Sequence, residues 1–143
     1  MADAKKPRVM VADDEKHIRA LMKAALVRIN CEIVAEAKDG QETVDLYRRF
    51  LPDMLLLDIN MPLKSGEEVL REIRDEFPDA LIVILSSVSD LETVENMLMA
   101  GASNFIRKDT PLKDMLQIIR DTWVTHLKKK PGARSSQTGE GSA

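Results

Sequence analysis

Five positions carry side chains whose types could do joint chemistry: Asp13, Asp14, Asp58, Ser86 and Lys108. They follow the apolar runs of the chain. Arg8 to Ala12 ends in Asp13-Asp14, Leu55-Leu56-Leu57 ends in Asp58, Leu81 to Leu85 ends in Ser86-Ser87, and Phe105-Ile106-Arg107 ends in Lys108. Such runs suit strands buried on both faces, and in an open parallel α/β sheet the groups leaving the carboxyl ends of the strands converge on one crevice. Carboxylates about 4 Å apart repel by roughly 4 kcal/mol at an effective dielectric near 20, so three acids gathered there want a cation. Few carboxylates, with room for water and phosphate oxygens, suit magnesium better than calcium or zinc, and no His/Cys set offers a zinc site. A hydroxyl and an ammonium beside a cation-bound carboxylate describe a site built for a phosphoryl group. An aspartate can attack phosphorus and hold it as an acyl phosphate while cation and lysine neutralise the oxygens. Each residue alone has a plainer reading: Asp58 as a turn cap, the acids and Lys108 as a structural ion pair at a sheet edge.

The elements that must position these groups follow from periodicity. Between the first and second strands, Ile18, Leu21, Met22, Ala25 and Ile29 recur at helical spacing. Ile33-Val34-Ala35 is a second short strand, Asp39-Gly40 starts a helix marked by Val44, Tyr47 and Leu51, and Pro52 stops it. Ser65 with Glu68 three residues on is a capping-box signature, opening a helix with Gly66, Val69, Leu70, Ile73 and Phe77 on one stripe. Leu91, Val94 and Leu98 mark a fourth helix, with Gly101 where a helix end wants a left-handed residue. Leu112, Met115, Leu116, Ile119, Trp123 and Leu127 mark a fifth, with Pro111 acceptable in its first turn and Lys128 to Lys130 at its end. Five strand–helix units imply a doubly wound five-stranded parallel sheet with helices on both faces.

Composition excludes several alternatives. The chain has 143 residues, 44% apolar and 31% charged, which suits one domain with a real core. A formal charge of −3 argues against direct nucleic-acid binding, and no apolar run approaches a membrane span, so a cytoplasmic protein is expected. Residues 1–6 read as a flexible arm, 7–128 as the domain, and 129–143 as a disordered tail or truncated linker. The single cysteine, Cys31, is expected to be a buried structural thiol, and His17 and His126 to be surface helix residues.

Asp13-Asp14, the Leu-Leu-Leu-Asp58-Ile-Asn-Met-Pro segment, Ser86-Ser87, Gly101-Ala102-Ser103-Asn104-Phe105 and Lys108 together resemble the receiver domain of two-component response regulators, over residues 7 to 127. The resemblance implies a flavodoxin-like sheet of order 2-1-3-4-5. It implies that Asp58 accepts a phosphoryl group from a sensor histidine kinase, a histidine phosphotransfer protein or a small phosphodonor. Asp14, Asp58 and the backbone carbonyl of Asn60 would ligate Mg2+, with Asp13 acting through water. Lys108, the Ser86 hydroxyl and the backbone N–H of Ser87 would contact the phosphoryl oxygens. Ser86 and Phe105 would form the switch, signalling through the fourth helix, fifth strand and fifth helix to a downstream protein or fused output domain, with a phosphorylation-dependent dimer among the outcomes. Phe105 lacks the phenol hydroxyl of relatives with tyrosine there, so its coupling is expected to be looser, and the plainer reading is a fixed core residue.

One departure stands out. Many receivers have proline after the lysine, with a cis peptide, whereas Asp109 follows Lys108 here; a cis bond without proline costs about 2.5 to 4 kcal/mol, so a trans bond and a differently supported lysine are expected. The Lys-Asp-Thr-Pro segment is closer to receivers carrying a DNA-binding helix-turn-helix domain. The chain is thus expected to be a switch that catalyses only its own phosphorylation and dephosphorylation, or the receiver fragment of a transcriptional regulator, or a phosphoryl sink or relay. A phosphatase turning over external substrates is disfavoured, because Asn60 stands where such enzymes need a second acid. Val88 and Asn60 are candidates for setting the lifetime of the phosphorylated form through water access.

Overall fold

The computed structural model describes residues 6–87 and 90–129; Val88, Lys130 and nearly all of the arm and tail lie outside them. The chain alternates β1 (Arg8–Ala12), α1 (Lys16–Arg28), β2 (Glu32–Ala37), α2 (Gly40–Phe50), β3 (Met54–Asp58), α3 (Gly66–Glu76), β4 (Ile82–Ser86), α4 (Leu91–Met99), β5 (Asn104–Arg107) and α5 (Leu112–Lys129). Lys129, the first residue assigned to the tail, therefore belongs to α5. All strand pairs are parallel, in the order β2-β1-β3-β4-β5.

The apolar runs alternate between two cores. Met10, Ala12, Leu55, Leu57, Ile82 and Ile84 face α2, α3 and α4, while Val9, Val11, Leu56, Val83 and Leu85 face α1 and α5. Because β1, β3 and β4 are covered on both faces, neither alternate set of side chains can be polar, which is why these strands read as continuous hydrophobic runs. The edge strand β2 is only partly buried and its register with β1 slips between Val9 and Met10.

Helix boundaries follow local chemistry. The Asp39 side chain accepts the N–H of Glu42 to cap α2, which ends with Leu51 in the left-handed region just before Pro52. Ser65 and Glu68 form the full capping box of α3. Gly66 is needed there for space: a Cβ would stand 2.3 Å from the Ile59 Cα and 2.8 Å from the Asp58 carbonyl oxygen. The close approach brings the start of α3 directly under the loop that follows Asp58. Gly101 ends α4 with φ +115°, as its position implies.

Three stripes differ from expectation. In α4 the side buried is that of Met97, while Leu91 is 71% and Leu98 46% exposed. In α1, Leu26 is fully buried and Leu21 is half exposed, and in α5 Leu127 is 47% exposed. Helical spacing admits overlapping stripes a third of a turn apart, and packing against the sheet selects between them. Cys31 is buried, and burial pushes its thiol up against a smaller downward pull from Arg120. His17 is exposed, whereas His126 is half-buried with its ring stacked 6.3 Å from that of Trp123.

Candidate functional site

Strand register brings the chemistry-bearing residues together. Ala12 pairs with Leu57, so the residues that follow, Asp13 and Asp58, emerge side by side. Asp58 pairs with Leu85 and Ser86 with Arg107, which places Ser86 and Lys108 on the other flank of Asp58. The N–H of Lys108 donates to the Ser86 carbonyl at 2.8 Å, fixing the start of the turn after β5. Asp13, Asp58 and Ser86 are buried, whereas Asp14, Asn60 and Ser87 are exposed and Lys108 is intermediate.

Lys108 spans the acids. Its Nζ lies 2.8 Å from Asp13 Oδ2, 3.4 Å from Asp58 Oδ1 and 3.6 Å from Glu15 Oε1. Carboxylate oxygens of Asp13, Asp14 and Asp58 all lie within 4.8 Å of one another. Asp58 Oδ1 also accepts the Asn60 N–H at 3.3 Å, and Asp13 Oδ1 accepts the Glu15 N–H at 2.9 Å. Asp13 Oδ2 is buried and, among the described residues, meets no donor but the Lys108 ammonium.

The electrostatics record crowding. Burial, reinforced by the neighbouring Asp13 charge, pushes the Asp58 carboxyl up to about 6 against the opposing pull of Lys108 and the Asn60 N–H. For Lys108 burial works downward, but Asp13 and Asp58 together outweigh it and hold the ammonium above its ordinary value. One ammonium thus serves three acids at distances where two of the contacts exceed 3 Å. An incompletely satisfied buried carboxylate oxygen within reach of two further carboxylates fits a small, hard, oxygen-seeking cation, and the absence of sulfur or imidazole donors from the cluster fits it too.

Sequence reasoning placed Asp13, Asp14, Asp58 and Lys108 in one cluster, and the structure brings them together there. Ser86 lies on the adjacent strand end. Phe105 sits opposite Ile84 in the β4–β5 ladder, half-buried against the α2–α3–α4 core. Every peptide bond among the described residues is trans, Lys108–Asp109 included, and the turn beyond the lysine is instead bridged by a two-pronged ion pair from Arg107 to Asp109 at 2.9 and 2.5 Å. Sequence reasoning missed Glu15, the third acid on Lys108, and Arg19, whose Nη1 donates to the Asp13 carbonyl at 2.7 Å. Glu15 adjoins the Asp-Asp pair and could have been found there; a contact between a side chain and a backbone carbonyl leaves no signature in residue types.

No helix among the described residues is long and apolar enough to cross a membrane. A family model described as response regulator receiver domain matches residues 9–120. The chain is 33% identical over 115 residues to the chemotaxis protein CheY of Bacillus subtilis, covering 80% of this chain and 96% of that one. It is 37% identical over 119 residues to the transcriptional regulatory protein PdtaR of Mycobacterium tuberculosis, covering 82% of this chain and 58% of that one. Among solved structures, the signal receiver domain of the response regulator NarL from Mycobacterium tuberculosis superposes with a TM-score of 0.77 at 30% identity, covering 84% of this chain and 98% of that one.

Proposed function

The chain belongs to the response regulator receiver domain family, and from that premise we propose that it is a phosphorylation-dependent switch whose phosphoryl acceptor is Asp58. The observation that carries this reading is the burial of Asp58 at the end of β3, within reach of two other carboxylates and 3.4 Å from the Lys108 ammonium.

In the proposed reaction a carboxylate oxygen of Asp58 forms a bond to phosphorus as the donor's P–N bond, in a phosphohistidine, or P–O bond, in acetyl phosphate, breaks. The electron pair of the broken bond leaves with the donor. Burial and the Asp13 charge push the Asp58 carboxyl up to about 6, so it is mostly ionised at neutral pH, and a bound cation would favour the attacking carboxylate form further. Asp14, Asp58 and the Asn60 carbonyl would hold Mg2+, with Asp13 acting through water, and the ion would supply charge neutralisation for the phosphoryl oxygens. Lys108 stands ready to transfer its contacts from carboxylates to phosphoryl oxygens, and the Ser86 hydroxyl and Ser87 N–H complete the donor set. Acetate leaves as an anion and a phosphohistidine ring protonated on its other nitrogen leaves as neutral imidazole, so this chain delivers no proton during transfer, which agrees with the lack of a second acid at position 60.

The switch in this reading is Ser86 drawn toward the phosphoryl group and Phe105 repacking into the space behind it, biasing two arrangements of the α4, β5 and α5 face. A downstream protein or an output domain in a longer chain reads that face. The reading makes the protein an acceptor of phosphoryl groups in the cytoplasm and not an enzyme with external turnover.

Incubation with acetyl phosphate and magnesium is expected to add one phosphoryl group, labile to hydroxylamine, to the intact protein, and Asp58→Asn to abolish it. A stable adduct on serine, or undiminished labelling of the Asn variant, would falsify the assignment.

A further inference from the structure

Asp14 presents a problem of aim. It is exposed, and among the described residues no hydrogen bond or ion pair holds its carboxylate. Packing does not orient it, so the backbone that carries it must. A single planar peptide unit joins the Asp13 carbonyl to the Asp14 N–H, so whatever holds that carbonyl also sets the plane from which the Asp14 side chain departs.

Arg19 holds it. The residue lies in the first turn of α1, where a long side chain leans back toward the helix N-terminus, and its Nη1 donates to the Asp13 carbonyl at 2.7 Å. The guanidinium is itself fixed: its Nε donates to Glu36 Oε1 at 3.0 Å, and the side chain is only 13% exposed. Glu36 stands beside Val11 in the β1–β2 ladder, and the next residue of β2, Ala37, accepts the Asp13 N–H at 3.0 Å. Both backbone polar groups of Asp13 are thereby referred to the end of β2, one directly and one through Arg19. Glu36 does not need Arg19 for neutralisation, since Lys23 Nζ lies 2.6 Å from its Oε2.

We infer that Arg19 is a positioning residue for the acid pair, holding the Asp13–Asp14 peptide plane so that the exposed Asp14 carboxylate meets Asp13 and Asp58 at a common cation. The inference rests on reading the three acids as a magnesium site. It assigns to β2, an edge strand that contributes no side chain to the cluster, the task of fixing the one exposed acid of the three.

Arg19→Met keeps the apolar stem and removes the donors, so the fold is expected to persist. Magnesium binding to the full, unphosphorylated chain, measured calorimetrically, is expected to weaken about tenfold, as for other residues that orient ligands from behind. Arg19→Lys should recover most of that loss, because an ammonium can still reach the carbonyl, and Lys23→Ala should leave binding unchanged. In the metal-free protein, the Asp14 amide resonance should move in Arg19→Met and stay in place in Lys23→Ala. Arg19→Gln, with a shorter neutral donor, is the second variant and must also weaken magnesium. Unchanged affinity in the Met and Gln variants, or an equal loss in Lys23→Ala, overturns the inference. Wild-type protein that binds no magnesium overturns the reading of the site and the inference with it, whereas normal wild-type binding with insensitive variants overturns the inference alone.

Discussion

The two ends of the sheet handle charge in opposite ways. At the carboxyl end, one lysine serves three acids, a buried Asp13 oxygen has no other donor among the described residues, and Asp58 is pushed up to about 6. At the amino end the charges are matched by fixed acceptors. Arg74 of α3 donates through Nε and Nη2 to the Gly101 carbonyl and through Nη1 to that of Pro78, closing α3 onto the turn after α4. Arg8 donates to the carbonyls of Phe50 and Leu51 while its backbone N–H donates to Asp53. Ser103 completes the set, accepting the Ile82 N–H and returning its own N–H to the Ile82 carbonyl. One end is under-satisfied and poised to bind; the other is satisfied and holds the fold. Stability and reactivity are thus separated along the strand axis, and substitutions at the two ends should have opposite signs.

The largest effect is expected at the amino end. Arg74→Ala removes three hydrogen bonds from a cationic donor and strands two carbonyls, a loss of about 3 kcal/mol given 1.5 to 3 for a single charged hydrogen bond with partial replacement by water. Urea unfolding measures it. A loss no larger than that of an exposed ion pair would mean that the latch is ornamental and the contrast between the ends is wrong.

A smaller effect of opposite sign is expected at the carboxyl end. In metal-free protein at neutral pH, Asp58→Asn relieves a charge held unfavourably, and Lys108 retains Asp13 and Glu15 as partners. A carboxyl raised from 3.8 to about 6 places an upper bound of about 3 kcal/mol on the gain from removing the charge. The sign carries a pH signature. Between about 4 and about 6 the folded state keeps a proton that the unfolded chain has released, so the Asp58 contribution is fully present below the lower value and is lost as pH rises through the upper one. The difference in unfolding free energy between Asp58→Asn and wild type should therefore grow across that window and level off above it. A variant no more stable than wild type at pH 7 would place the crowding elsewhere.

The contrast between the ends also marks where residue types suffice to infer structure. The strands and the acid cluster could be read because they rest on local patterns, whereas the strand order came from the family resemblance: a run of Ile82, Val83, Ile84 and Leu85 has no good use except a doubly covered strand, and an acid directly after such a run has one place to go. The amino-end latch could not. Arg74 occurs in the helix stripe Val69, Leu70, Ile73 as an ordinary polar neighbour, and its partners are carbonyls that every residue owns. The same holds for Arg19. The α4 stripe failed for a different reason, since Leu91, Val94 and Leu98 and the set that includes Met97 are both helical, and the docking of Gly101 against Arg74 fixes the helix end whose rotation decides between them.

The smallest effect tests whether Lys108 belongs wholly to the poised end. Asp109, where many receivers have proline, forms a two-pronged pair with Arg107, and one view is that this pair takes over the task of aiming the lysine. The geometry argues otherwise. Both partners are more than half exposed, and exposed pairs contribute about 0.2 to 1 kcal/mol, with many contributing nothing measurable. The lysine has firmer holds: its N–H on the Ser86 carbonyl at 2.8 Å and its ammonium between Asp13 and Asp58, a side chain 18% exposed. Asp109→Ala should therefore leave the urea midpoint and magnesium affinity near wild type and change the rate of labelling by acetyl phosphate little. A large fall in that rate at unchanged stability would show that an exposed pair steers the ammonium, and the support of the lysine would then have to be moved from the acids to the turn.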